Sequence, residues 1–235
     1  MLYELFRRSI SSLSPTPLPH DGPALTPLGP SIWCAEREFE LNSGLILPLR
    51  MVVVANDLGE LLLYSPTVFD SETDAALTAL GTVRWIVTPN PIHGYFVDRY
   101  LAAYPDAVHV SPSQTSFDHI EPWFDAKLVQ PRDDYREICA YHHASRTLIL
   151  SDLAFNIQSA SRTTRWLLGF NDAWQKFGPT RLQRAVVMKN DRALREFCQW
   201  AIAQDFDQIS VSHGAVVTKN AKQIFQHAFR RWLTI

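Results

Sequence analysis

The sequence predicts a single α/β domain, and three observations carry that expectation. Short apolar runs of strand length alternate with longer stretches of helical period. Turn and cap residues punctuate the boundaries between them. The chain's 235 residues, 46% of them hydrophobic, suffice for one sizeable core.

Composition narrows the partners. Lys and Arg number 22 against 24 Asp and Glu, a formal net charge of −2, so no long-range field attracts phosphate backbones or anionic lipid. Nucleic acid is not expected as a partner. Cys34, Cys139 and Cys198 are widely spaced and form no C-x-x-C pair, which fits neither a disulfide framework nor a thiolate zinc site. Met1 to Ile10 carries Arg7 and Arg8 inside its apolar positions, unlike a secretory leader. No window approaches the ~20 apolar residues that span a bilayer. The expected setting is the cytoplasm, away from membranes.

Six prolines fall between Pro15 and Pro30, with Gly22 and Gly29 among them. Residues 1–30 are therefore expected to form an extended Pro-rich arm, and residues 31–235 the domain. Ser31 to Ala35, Leu47 to Ala55 and Glu60 to Tyr64 have the length and apolar content of strands. The last two are separated by Asn56 to Gly59, whose Asp-x-Gly chemistry suits a hairpin loop. A helix is predicted over Ser71 to Leu80, with Ser71 and Asp74 at capping-box spacing and Gly81 as terminator. Thr82 to Thr88 is a strand. Asn90 and Pro91 then form an N-cap and N1 pair, predicting a helix towards Tyr104 with His93 in its first turn.

Further along, a strand is predicted over Ala107 to Ser111, followed by a polar stretch to Pro131 with no clear element. Arg136 to His142 and Arg146 to Ser151 form a hairpin. Helices follow at about Thr163 to Phe177, Asn190 to Gln204 and Asn220 to Leu233. In the last, Ala221, Ile224, Phe225, Ala228, Phe229 and Trp232 keep the spacing of a buried face. Asp207 to Ser212 is a strand that ends at His213 and Gly214. Trp166, Trp200 and Trp232 lie among apolar helical neighbours and are expected to pack inside.

No G-x-S-x-G elbow, Walker A loop, G-x-G-x-x-G or H-E-x-x-H occurs in the sequence, leaving serine hydrolase and nucleotide chemistry without support. What remains is polar punctuation at strand ends: His93, Asp152 and His213. Imidazole and carboxylate are the donors that suit Zn or Fe. Singly, each residue could equally serve a helix start, a cap or a turn. Their joint placement after strands singles them out.

The hairpin adds a fourth candidate. With Ala144 and Ser145 at the turn, paired positions sum to 289, so His142 faces Thr147 and Glu137 faces Asp152. Five residues at ~3.3 Å each set His142 roughly 16 Å from Asp152, too far to share an ion. Glu137 beside Asp152 requires a cation or a shared proton between the two carboxylates. Adjacent Asp133 and Asp134 are weaker candidates, as solvated loop residues.

The succession of a strand with a His-bearing turn, a hairpin ending in Ser151-Asp152-Leu153-Ala154-Phe155 and a late strand ending in Ser212-His213-Gly214 resembles the metallo-β-lactamase superfamily. There, Gly-Asp-x-x-Phe and Gly-His-Gly segments supply a bridging aspartate and a histidine. Leu62 to Pro66, Leu80 to Pro89 and Ser145 to Asn156 further resemble a family of unknown function placed in that superfamily. The resemblance implies a metallo-β-lactamase-like αββα sandwich with mixed sheets and outer helices. It departs at the H-x-H-x-D-H segment: Thr88, Asn90 and Ile92 stand where His, His and Asp are expected, and only His93 remains. The resemblance therefore implies at most one Zn or Fe ion, on His93, Asp152 and His213 with Glu137, and a hydrolase acting on an unknown small molecule with Asp152 or Glu137 taking the proton. The alternatives are a non-catalytic protein that binds a small molecule or partner on the same fold, and an iron-dependent oxidoreductase using Glu137 as a ligand.

Overall fold

The computed structural model describes residues 15–41, 44–113, 120 and 125–233. Alternation within single strands organises it. In Ile46–Ala55 (β4), Val52 and Val54 turn to one core cluster while Met51 and Val53 turn to another. In Glu60–Tyr64 (β5), Leu62 and Tyr64 join the first cluster and Leu61 and Leu63 the second. A strand buried on both faces needs no polar alternation, which is why these segments read as continuous apolar runs.

Those two strands lie in a seven-stranded sheet with Thr16–Pro17 (β1), Thr26–Gly29 (β2), Ile32–Glu40 (β3), Thr82–Val87 (β6) and Val108–Val110 (β7). Its order is β1-β3-β4-β5-β6-β7, with β2 also on β3. The β3, β4 and β5 pairings are antiparallel, and β5, β6 and β7 are parallel. A second sheet of four strands runs Gln208–Val211 (β11), Thr147–Leu150 (β10), Tyr135–His142 (β9), Asp125–Arg132 (β8). Here β10 and β11 are parallel and the other pairs antiparallel. The hairpin register is the predicted one, with His142 opposite Thr147 and Tyr141 opposite Leu148.

Between the sheets lies a layer that Val52, Leu62 and Val87 share with Ile138, Ala140 and Ile149. Outside the first sheet, Ser71–Leu80 (α1) and Val97–Ala103 (α2) bury Leu77, Val97 and Tyr100. Outside the second, Asp191–Ala203 (α5 in chain order, after Arg162–Phe170, α3, and Arg181–Val186, α4), Ala221–Ala228 (α6) and Arg230–Leu233 (α7) bury Phe197, Phe225, Phe229 and Trp232. The layers are helix, sheet, sheet, helix. Among the described residues no helix is long and apolar enough to cross a membrane.

Several elements differ from expectation. The arm's described part, from residue 15, is extended, but β1 and β2 hydrogen-bond to β3 and so extend the sheet; residues 1–14 lie outside the described residues. Asp70, not Ser71, caps α1, its carboxylate accepting the Thr73 amide. Residues 91–96 form turns, and α2 starts only at Val97. The helix expected to Phe177 stops at Phe170, and α4, capped by Thr180 and Gln183, was not foreseen. The polar stretch before Pro131 contains β8, an edge strand, where proline costs no ladder bond. Trp232 is buried and Trp200 packs on the core, but Trp166 is 72% exposed and stacks on Phe170 instead.

Candidate metal centre

Both sheets end at one place. The C-terminal ends of β5, β6, β10 and β11 converge, the position at which open α/β sheets hold ligands. Two main-chain bonds clamp the sheets there: the Arg50 amide donates to Ser212 O at 2.8 Å, and the Ile138 amide to Pro89 O at 2.8 Å. The segments following these strands carry Ser65, His93, Asp152 and His213, all buried.

His93, Asp152 and His213 each offer a donor atom, and the three atoms lie within 4.8 Å of one another. Among the described residues they are the one such group of His, Cys, Asp and Glu. Both Nε2 atoms face the same carboxylate oxygen: His93 Nε2 is 3.1 Å and His213 Nε2 3.3 Å from Asp152 Oδ1. With bonds of ~2 Å, closure by roughly 1 Å would let one ion reach all three.

The rings are held from behind. His213 Nδ1 lies 2.7 Å from Pro48 O. A carbonyl only accepts, so Nδ1 carries a proton and Nε2 is the nitrogen turned towards Asp152 Oδ1. At 3.3 Å, a cation or a second proton must lie between Nε2 and the carboxylate oxygen. His93 Nδ1 is 2.8 Å from Ser65 Oγ, and Ser65 holds a left-handed backbone, φ 61°, that a non-glycine residue adopts at a cost. Ser212 Oγ donates to Ser65 Oγ at 3.1 Å. Such partners fix ring orientation in metal sites. The Phe155 ring stacks on His213 at 4.8 Å, and Gly214 lets the chain pass Asn156: a Cβ there would sit 2.2 Å from Asn156 O. His93 lies in a turn segment before α2 and not in a helix's first turn; Asn90 Oδ1 accepts its amide at 3.2 Å.

Glu137 requires a correction. It stands beside Asp152, as the register demands, yet it is not a ligand. Its oxygens accept the amides of Ser151, Asp152 and Leu153 at 3.0, 3.0 and 3.2 Å. Asn90 Nδ2 and the Tyr135 hydroxyl donate to Oε2 at 3.3 and 3.2 Å. Fully buried and surrounded by donors, Glu137 holds the turn that carries Asp152, so the catalytic and ligand roles expected of it are withdrawn. Burial first, then the Asp152 charge, push its carboxyl up to about 7, opposed by the Leu153 and Ser151 amides. Burial alone would also raise Asp152, but the charges and hydrogen bonds of His93 and His213 together hold it well below the usual carboxylate range.

Thr88, Asn90 and Ile92 each have a partner of their own. Thr88 Oγ lies 2.8 Å from His109 Nε2. Ile92 packs with Tyr135 and Val187. Asn90 Nδ2 donates to Asp152 Oδ2 at 3.0 Å and to Ser151 Oγ at 3.2 Å, so Asp152 Oδ2 faces a donor and only Oδ1 faces the imidazoles. Sequence reasoning assigned no site role to Asn90 or Ser65; the available signal was Asn90's place at the departure from the H-x-H-x-D-H pattern. Gln183, whose amide donates to Asp152 O, was also missed.

No protein-family model and no curated protein matches the chain. Solved structures do. A fragment from Nostoc sp. PCC 7120, assigned as diflavin flavoprotein A 5, aligns at TM-score 0.59 and 10% identity over 93% of this chain and 96% of that one. The metallo-β-lactamase FIM-1 from Pseudomonas aeruginosa, in its mono-zinc form, aligns at 0.54 and 14% over 92% and 99%. A metallo-β-lactamase from Erythrobacter litoralis aligns at 0.55 and 11% over 92% and 100%. Layers, mixed sheets and these alignments agree that the chain has the metallo-β-lactamase fold.

Proposed function

We propose that the protein is a hydrolase working with one metal ion, zinc or iron, held by His93, Asp152 and His213. The observation that carries this reading is the His213 tautomer: Pro48 O fixes the proton on Nδ1, and Nε2 meets the Asp152 carboxylate at 3.3 Å. The donor set of two imidazoles and a carboxylate fits such an ion and leaves a coordination position free. A bound ion would polarise a carbonyl and lower the pKa of a water towards ~7. The protein's own part is positional. Asn90 and the turn held by Glu137 aim Asp152, Ser65 aims His93, and Asp152 is the carboxylate facing the cavity that can take a proton from the attacking water. FIM-1, of the same fold, is known in a mono-zinc form, a precedent for one ion.

A second reading, a non-catalytic binding protein, draws on the 3.1 Å contact between His93 Nε2 and Asp152 Oδ1, which is a hydrogen-bond distance and closes without an ion if a ring carries the proton. One experiment separates the two. Elemental analysis should find about one equivalent of metal, and EDTA should lower the melting temperature by roughly 5–10 °C, the effect of losing a ligand held at ~100 times its Kd. His213→Ala should abolish both signals. Metal-free protein that melts at the same temperature with and without zinc would leave only the second reading.

A further inference from the structure

Above the three donors opens a cavity of 280 Å³, near the lower end of the ~300–1,000 Å³ common for ligand pockets. Its apolar lining includes Leu47 and Leu49 of β4, Ile92, Phe96, Phe155 and Leu168. Among the described residues neither lysine nor arginine lines it. Its charged or titratable lining consists of Asp152, His93, His213, Tyr95 and Tyr135. The apolar wall reaches the donors themselves, because the Phe155 ring lies flat on His213, 4.8 Å between centroids.

We propose that this cavity takes an uncharged ester or thioester with an apolar acyl chain of short to middle length. The proposal rests on the hydrolase reading and names its substrate class. A carboxylate or phosphate at the far end of the chain would be desolvated against leucine and phenylalanine with no cation to meet it. A methylene chain gains from the same walls. Hydrolysis adds one water: its oxygen bonds the carbonyl carbon, the C–O or C–S bond breaks, and the leaving alcohol or thiol receives a proton. The second product is a carboxylate, formed at the donor group, while the walls beyond the donors offer it no cation. Chains longer than the cavity emerge past Leu182 and Tyr95, the lining residues that are 43% and 41% exposed.

The test is calorimetric binding of methyl butanoate, hexanoate and octanoate to the metal-free full chain, alongside the monomethyl ester of an eight-carbon dicarboxylic acid. Affinity should rise about fourfold per methylene that enters, and the ω-carboxylate should bind at least tenfold more weakly than methyl octanoate. Leu182→Glu, at an exposed position, should weaken octanoate ester binding severalfold with an unchanged melting temperature. A flat series, or preference for the ω-carboxylate, overturns the proposal even where zinc binds. Chain-dependent binding by a protein that takes no metal upholds the cavity's selectivity and overturns the hydrolase reading instead.

Discussion

Replacing Glu137 by glutamine tests whether that buried carboxylate is what holds the metal-site turn. The carboxylate accepts three main-chain amides, two at 3.0 Å and one at 3.2 Å, besides Asn90 Nδ2 and the Tyr135 hydroxyl. Glutamine keeps one acceptor oxygen and presents an NH₂ group where the other was. If its oxygen takes the place of Oε1, the Asp152 amide, Asn90 Nδ2 and Tyr135 face donors; if it takes the place of Oε2, the Ser151 and Leu153 amides do. At least one buried amide is stranded either way, at ~1–3 kcal/mol each. Removing a charge that burial first, and then Asp152, disfavours offsets part of that loss. The net expectation is a destabilisation of about 2–4 kcal/mol, or roughly 5–15 °C in melting temperature for a chain of this size. It should be measured on metal-free protein at pH 8, where the carboxyl, with its value of about 7, is largely ionised. Metal affinity should fall ~10–100-fold, as it does when partners behind the ligands are lost. A Glu137→Gln protein as stable as the parent at pH 8 would refute the reasoning, since it would make the charge a liability rather than the anchor of the turn.

Two further outcomes are expected. Burial, with the neighbouring His143, lowers the His142 imidazole to about 4; between ~6.5 and that value the unfolded chain binds a proton that the folded one does not. Stability should therefore fall as pH drops through this window, by about 2 kcal/mol after discounting for solvent screening, and His142→Gln should flatten the denaturation curve against pH. An identical pH profile in the variant removes His142 as the cause. Gly214→Ala places a Cβ 2.2 Å from Asn156 O at φ +109°, so a loss of ~3 kcal/mol or more is expected, with zinc affinity falling as His213 shifts. Parent-like melting and zinc titration in that variant would show the backbone there to be tolerant.

The site was legible where a residue's role depends on its place in the topology. His93, Asp152 and His213 stand after strands that end on one side of the fold, and sequence order alone shows that they follow strands. The hairpin register, fixed by the turn at Ala144 and Ser145, also set Glu137 beside Asp152 and His142 at the far end. Beyond that, the sequence could not show which way a carboxylate faces. Glu137 points at three main-chain amides, and amide direction leaves no trace in residue identity. Helix boundaries failed for a related reason: Asn90 caps Ile92 and His93 as expected of an N-cap, but Ile92 is drawn into the cluster with Tyr135 and Val187, and regular helix waits until Val97. Trp166 follows an apolar period in a helix of nine residues, and period alone does not say which face meets the core. Thr164 and Leu168 are the residues that turn inward there.

Thr88, Asn90 and Ile92, the positions at which the sequence departs from the H-x-H-x-D-H pattern it was compared with, act differently on the site. Thr88 and Ile92 are tied to partners outside the donor group. Asn90 does more. Its amide reaches Asp152, Glu137 and Ser151 from one nitrogen, at the position where a second histidine would stand. It acts as a clamp. Asp152 Oδ2 is occupied by this donor, so on the proposed reading only Oδ1 remains to meet one ion, and the same amide ties the carboxylate to the Glu137 anchor that sets its orientation. On that reading, discrimination between substrates falls to the walls above the donors, and these are largely apolar.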